Sequence, residues 1–355
     1  MKILIIQQKM IGDVLTSTIL FEAIKEKYPK AKLHYLINSH TLPVIENNPF
    51  IDDIILYTPE IQKSNLKLWR FIKSIKKNEY DVIIDVYSKL SSNLRSLLLN
   101  VKTKISYHKK QSLFIYNYNI KRINHSNKVS GLEISNRLKL LSPLNIYKES
   151  IAPKIYLTKE EISSGKTYLE SNSINFKTPL FMISVLGSSD DKSYPPKYMA
   201  KVIDTIVTET KGQILFNYIP KQHTQAKIVY DFCETETKKH IHFNVFGKNL
   251  REFLAITKHC DALIGNEGGA INMAKALNIP TFSIFSPWIK KEGWNVFEND
   301  GTHVSIHLKD CNSSLYDTKT QKKTKNGVKL LYEAFLPKYI LPVLKDYLKT
   351  ISNEQ

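Results

Sequence analysis

Three cysteines, twelve glycines and three tryptophans are spread over 355 residues, and each shortage closes off a reading. Cys233, Cys260 and Cys311 form no CxxC pair and no Cys/His cluster, which points away from a metal site and toward a reducing compartment. With so little glycine there is no GxGxxG and no GKS/T, so the usual dinucleotide and P-loop fingerprints are missing. No apolar run approaches the roughly 18 residues that span a bilayer. The opening run Ile3–Ile6 stops at Gln7, Gln8 and Lys9, short of the roughly 7–15 residues of a secretory signal core. The expected location is cytoplasmic, or at most peripheral to a membrane.

Acid is also missing in one place. Val86 to Leu132 contains no Asp or Glu, yet it carries Lys89, Arg95, Lys102, Lys104, Lys109, Lys110, Lys121, Arg122 and Lys128. The whole chain has a formal net charge of +18 and a sequence pI near 9.5. Such a field attracts polyanions, among them anionic lipid headgroups and phosphorylated sugars. A solvated Lys-rich surface accounts equally well for the total, though less well for the acid-free block. Tyr107, Phe114, Tyr116 and Tyr118 lie among these cations, but no known nucleic-acid module surrounds them. Nucleic acid is therefore not an expected partner.

What is present is an alternation of apolar runs and helix-length segments. "KILII", "KLHYLIN", "DDIILY" and "DVIIDV" in the first half are each followed by a helical pattern. "LFMISVLG", "QILFNYI", "HFNVFG", "DALIGNE" and "PTFSIFSP" repeat that order in the second. Continuous rather than alternating apolar strands predict parallel sheets covered on both faces. The expected fold class is α/β, with two Rossmann-like domains facing across a cleft. Their predicted bounds are 1–165 and 175–327, around a Pro-punctuated connection. A helix over 328–350 is expected to dock back on the first half, after a polar loop at 318–326. "RSLLLN", Arg95–Asn100, reads as core helix rather than as a membrane contact.

Three places carry candidate chemistry. Gly12-Asp13 sits where the first strand hands over to the first helix. Gly allows a tight turn close to a ligand. Asp13 reads either as a helix N-cap or as a carboxylate facing the cleft. "LGSSDDKSYPPKYM", Leu186–Met199, places hydroxyls, backbone amides and Lys192 in one loop that could hold a diphosphate. "NEGG", Asn266–Gly269, opens a helix after a strand. Its two glycines let amides approach a phosphate at the helix N-terminus, and Glu267 can accept from sugar hydroxyls. Each loop also has a plain reading as an ordinary strand-to-helix connection, a reading that Asn266–Gly269 favours less. The histidines show no ligand spacing, and Trp288 and Trp294 read as packing residues.

At these residues the chain resembles the bacterial heptosyltransferases, glycosyltransferase family nine. The shared features are "IGDVL" (Ile11–Leu15), a Ser-rich loop before "K-x-Y-P" (Ser188–Pro195), and a turn before "A-x-A-L-x-x-P" (Asn266–Pro280). The resemblance implies a GT-B fold and an inverting, metal-independent transfer from a nucleotide diphosphate sugar. No cofactor is implied. The resemblance further implies an ADP-sugar as co-substrate and, as acceptor, a lipopolysaccharide-core or related anionic glycan at the inner-membrane surface. It places the base on Asp13 and diphosphate contacts on Ser188, Lys192 and the amides at Gly268 and Gly269; Gly12, Ser189, Asn266 and Glu267 are expected to line the same donor site. Lys102, Lys104, Lys109, Lys110, Lys121 and Arg122 are then expected to receive acceptor phosphates or carboxylates. The family's usual Asp-Thr-Gly turn is Asn266-Glu267-Gly268 here, and Lys221-Gln222 stand where an acidic ribose contact is usual. A non-catalytic GT-B scaffold that binds anionic glycolipid and a nucleotide-sugar epimerase are the rival readings.

Overall fold

The computed structural model describes residues 1–125, 130–298, 301–316 and 325–353. The chain forms two compact units: Met1–Tyr156 with Glu292–Val296, and Leu157–Lys291 with Phe297–Gln355.

The first unit is built on a six-stranded sheet of order β3-β2-β1-β4-β5-β6. Its strands are β1 (Lys2–Ile6), β2 (Lys32–Asn38), β3 (Asp53–Tyr57), β4 (Val82–Asp85), β5 (Thr103–Tyr107) and β6 (Tyr118–Ile120). Every pairing is parallel. Ile3–Ile6 and Leu33, Leu36 and Ile37 are fully buried, as strands covered by helices on both faces require. The segment Glu292–Val296 completes this unit: the backbone of Asn295 and Val296 lies tight against Gly131.

The second unit has a five-stranded parallel sheet of order β11-β10-β9-β7-β8. Its strands are β7 (Leu180–Ser184), β8 (Gln213–Phe216), β9 (Ala262–Asn266), β10 (Thr281–Ile284) and β11 (His303–Ile306). Phe181, Ile183, Ile264 and Phe282 fill its core.

Several expectations need correction. The first unit's long segment ends at Tyr156, so helix Lys159–Ser171 is part of the second unit and not a connection. Thr158 and Glu161 form a capping box at its start, and Glu161 accepts from Arg251 Nε at 2.7 Å. The last helix, Pro337–Asn353, joins the second unit instead of docking on the first. Its Ile340, Leu344, Tyr347 and Leu348 belong to that core, with Tyr347 against Phe282. "HFNVFG" is not a strand. Ile241 makes one bridge to Ile214, and Phe243 and Phe246 then turn onto Tyr218. Most of the expected 318–326 loop lies outside the described residues. In helix Leu90–Leu98 the leucines of "RSLLLN" are not core: Leu97 and Leu98 are exposed, and only Leu99, just past its end, is buried.

Candidate active site

In open α/β sheets, ligands gather at the carboxyl ends of the strands where the strand order reverses. In the first unit that point lies between β1 and β4; in the second, between β7 and β9. The sequence-predicted residues fall at both.

In the first unit, helix Ile11–Ser17 begins just beyond β1. The residue that takes positive φ at the turn is Met10 (φ 65°), not Gly12, which is already helical. Asp13 is not the N-cap either. It is the third helical residue, and its carboxylate is spent on a partner far along the chain. Arg137 Nη2 donates to Asp13 Oδ1 at 2.6 Å. Arg137 also donates from Nε to Ser17 Oγ (3.1 Å) and from Nη1 to Glu133 Oε2 (2.7 Å). Ser17 Oγ in turn donates to the Asp13 carbonyl at 2.8 Å. The Arg137 side chain is 4% exposed and that of Asp13 22%, so the cation is sealed in while the carboxylate still reaches the surface.

Burial pushes the Asp13 carboxyl above its usual range; Arg137 pulls it down, and the Glu133 charge adds to the rise. The result is a carboxylate more basic than one in water yet still held by a cation. Glu133 also pairs with Arg122 at 3.2 Å, and the Arg122 guanidinium stacks 3.9 Å over the Tyr107 ring. Glu133 and Arg137, one turn apart on helix Gly131–Lys139, were not legible in the sequence. A Glu and an Arg at i,i+4 look like any solvated helix pair.

The six expected acceptor cations do not form one patch. Lys109 and Lys110 follow β5, and Lys121 and Arg122 follow β6, at the carboxyl edge that carries Asp13. Lys102 precedes β5 and Lys104 lies near its start. Seven residues of roughly extended chain, about 20 Å, separate Lys102 from Lys109. Burial lowers the Lys104 pKa, and that of Lys109, whose ammonium donates to the Ser88 carbonyl. Lys102 and Lys104 therefore drop out of a shared acceptor site.

In the second unit, Asn266 ends β9 and is fully buried. Its Oδ1 accepts from the Tyr194 amide at 2.6 Å, and its Nδ2 donates to the Ser184 carbonyl of β7 at 2.9 Å. Asn266 thus ties the two strands and the 187–193 loop together. Each end of the amide makes one such bond, and the residue is 1% exposed, so Asn266 positions the loop. Gly265 before it has φ 131°, and a Cβ there would sit 2.5 Å from the Ser184 oxygen, so only glycine fits.

Beyond Asn266 the surface opens. Gly268 has φ 150°, and a Cβ there would meet nothing within 4 Å. At Gly269 only the Met273 methyl comes within that range. Helix Gly269–Ala276 starts here with no acidic residue in its first turn. Gly269 is exposed, and the first-turn N–H groups of a helix lack intrahelical partners, which makes this end a candidate anion seat.

The facing loop is held by its own bonds. Ser193 Oγ accepts from the Gly187 amide at 2.9 Å, and the Asp191 carbonyl accepts from Trp288 Nε1 at 2.6 Å. Ser188 and Ser189 are exposed; Ser189 already donates to Asp191. Lys192 lies 5.8 Å from the centre of the Trp288 ring. Burial raises the Glu267 pKa, and the Lys192 charge opposes that rise, so these two side chains share one environment. Ser188, Ser189, Lys192, Glu267, Gly268 and Gly269 are therefore on one unit, while Gly12 and Asp13 are on the other. Among the described residues, no group of three His, Cys, Asp or Glu could hold a metal ion.

Two doubly wound parallel units in one chain, each with its polar residues at the sheet's reversal point, define the GT-B class of glycosyltransferase folds. The family model of glycosyltransferase family 9 (heptosyltransferase) matches residues 68–324. The chain belongs to that family and is a glycosyltransferase. Lipopolysaccharide heptosyltransferase 1 of Campylobacter coli is 25% identical over 299 residues, 80% of this chain and 84% of the relative. The Veillonella parvula family 9 glycosyl transferase has the same fold, with TM-score 0.79 at 16% identity over 98% of this chain and 97% of that one. Escherichia coli ADP-heptose lps heptosyltransferase II superposes with TM-score 0.72 at 16% identity, covering both chains in full.

Proposed function

We propose that the protein moves a heptose from ADP-heptose, with inversion, to a hydroxyl of a lipopolysaccharide-core or related anionic glycan. The observation that carries this reading is the Asp13 carboxylate. It is anchored through one oxygen to buried Arg137, is partly exposed, and has no partner for its other oxygen among the described residues. A relative named lipopolysaccharide heptosyltransferase and a fold neighbour named for ADP-heptose supply the substrate class.

In this mechanism Asp13 accepts the proton of the acceptor hydroxyl as that oxygen bonds to the anomeric carbon. The carbon–oxygen bond to the diphosphate breaks on the opposite face, and ADP leaves. Charge on the sugar ring develops oxocarbenium character, as in other glycosyl chemistry. Base catalysis of this kind is worth about 10²–10⁴-fold. Charge growing on the leaving diphosphate is opposed by Lys192, by the Ser188 hydroxyl and by the amides that open helix Gly269–Ala276. Glu267 accepts from ribose or sugar hydroxyls. Arg122 and Lys109 meet the acceptor's anionic groups.

The test is release of ADP from ADP-heptose in the presence of a lipopolysaccharide-core acceptor, with the anomeric configuration of the product read by NMR. Retention of configuration, or no acceptor-dependent release across core acceptors, would refute it.

A further inference from the structure

Helix Leu90–Leu98 is turned inside out. Its buried residues are Ser92, Asn93, Arg95 and Ser96, whereas Leu90, Leu94, Leu97 and Leu98 face solvent, Leu90 with 85% of its surface exposed. Positions 90, 94, 97 and 98 follow the spacing of one helical face. Two of the inward polar residues, Arg95 and Asn93, are anchored. Arg95 donates to Gln8 Oε1 and stacks 4.1 Å over the Tyr57 ring. The Tyr116 hydroxyl lies 2.9 Å from Asn93 Oδ1. Rotating the helix to hide its leucines would pull that guanidinium from both partners, so the fold fixes the stripe outward.

A second apolar projection lies beside it. The segment between Lys109 and Tyr116 is pinned at both ends: Lys109 donates to the Ser88 carbonyl, and Tyr116 reaches Asp85 and Asn93. Between those pins Leu113 and Phe114 stand out, Phe114 with 78% of its surface exposed. Lys89, Lys110 and Lys121 are exposed, and Lys89 and Arg122 both act electrostatically on Lys109. The adjoining acid, Asp85, is fully buried, and the block from Val86 to Leu132 contains none.

We infer that this face docks on an anionic lipid bilayer, with the four leucines and Phe114 entering the headgroup boundary and Lys89, Lys110 and Lys121 meeting lipid phosphates. Charge decides the occupant. A two-fold pairing of copies would press an acid-free cationic surface against itself. An anionic membrane complements the apolar stripe and the lysines together. No described helix is long and apolar enough to cross a membrane, so the contact is with the surface.

The experiment is vesicle flotation of the full chain, using phosphatidylcholine alone and phosphatidylcholine with about a third phosphatidylglycerol. The wild type should float with the anionic vesicles only. The variant Leu90→Ser/Leu94→Ser/Phe114→Ser should keep its melting temperature, because these side chains are exposed, and lose roughly ten-fold or more of its partitioning. No flotation of the wild type, or undiminished flotation of the variant, overturns the proposal. So does a wild-type dimer in light scattering that the variant converts to monomer, since a second copy would then cover the face. Flotation needs neither donor nor acceptor, so it fails or succeeds independently of the sugar chemistry.

Discussion

Replacing Arg137 with Met gives the sharpest test of the Asp13 site. The guanidinium is 96% shielded and bonded to Asp13, Glu133 and Ser17, with 2.6 Å and 2.7 Å contacts to the two carboxylates. Met fills much of the same volume but leaves Asp13 and Glu133 without the cation between them. Removing one partner of a buried pair costs about 3–5 kcal/mol, because the remaining charge is uncompensated. At about 2–4 °C per kcal/mol for a unit of this size, the melting temperature should fall by roughly 6–20 °C near neutral pH. The sign of the pH dependence follows from Asp13. Burial already raises its pKa, and Arg137 opposes that rise, so the variant's Asp13 must titrate higher still. The folded variant then holds this proton more tightly than the unfolded chain does. Its deficit is therefore largest above the Asp13 pKa and shrinks as pH falls through it. The acid limb of the transfer rate, which needs ionised Asp13, should move to higher pH in parallel. Thermal unfolding at several pH values and a pH–rate profile measure both. A loss below about 1 kcal/mol, or an acid limb that stays where the wild type has it, would refute the reasoning.

Asp13→Asn should fold normally, since Arg137 keeps Glu133, and lose about 10²–10⁴-fold in turnover; turnover within a few-fold of wild type would remove Asp13 from the base role. Gly269→Leu adds a side chain where only the Met273 methyl lies within 4 Å. Stability should change by less than about 1 kcal/mol while ADP affinity, read by calorimetry, falls about ten-fold or more, the equivalent of 1.4 kcal/mol; unchanged affinity would put the diphosphate elsewhere. Asn266→Ala leaves the Tyr194 amide and the Ser184 carbonyl without their partner and should cost about 2–5 kcal/mol in denaturant unfolding. A near-neutral Asn266→Ala would mean the bridge does not hold the loop. In a panel of nucleoside diphosphates, ADP should give the largest thermal shift, approaching 2.7 kcal/mol of stabilisation at about a hundred times its dissociation constant.

The strands β1, β2, β4 and β7 to β10 were readable because burial on both faces leaves no alternation to confuse; β3, at the sheet edge and only partly buried, was readable from its apolar run alone. β5 and β6 were not: Thr103, Lys104 and Asn119 dilute the signal in short strands near the sheet edge. Aromatic residues in "HFNVFG" imitated a strand, but Phe243 and Phe246 serve a cluster around Tyr218 instead. The position of Asp13 after β1 could be read from local pattern. Its partner could not, since Arg137 lies 124 residues away and nothing local marks the pairing. The leucines of helix Leu90–Leu98 teach the opposite lesson. Periodicity says that one face is apolar and is silent on which face turns inward. Here anchors at Gln8, Tyr57 and Tyr116 hold the polar face inside.

The short stretch Glu292–Val296 gives the first unit a late-arriving piece. On the ribosome, Met1–Tyr156 can collapse early, but the patch over Gly131 stays bare until residue 296 has left the exit tunnel. At about 5–20 residues per second, that gap is several seconds to half a minute of synthesis. A gene cut after Tyr156 would yield a fragment lacking its last stave, prone to stick to its neighbours. Splitting this enzyme into separately expressed halves would therefore require carrying those five residues across to the amino-terminal piece.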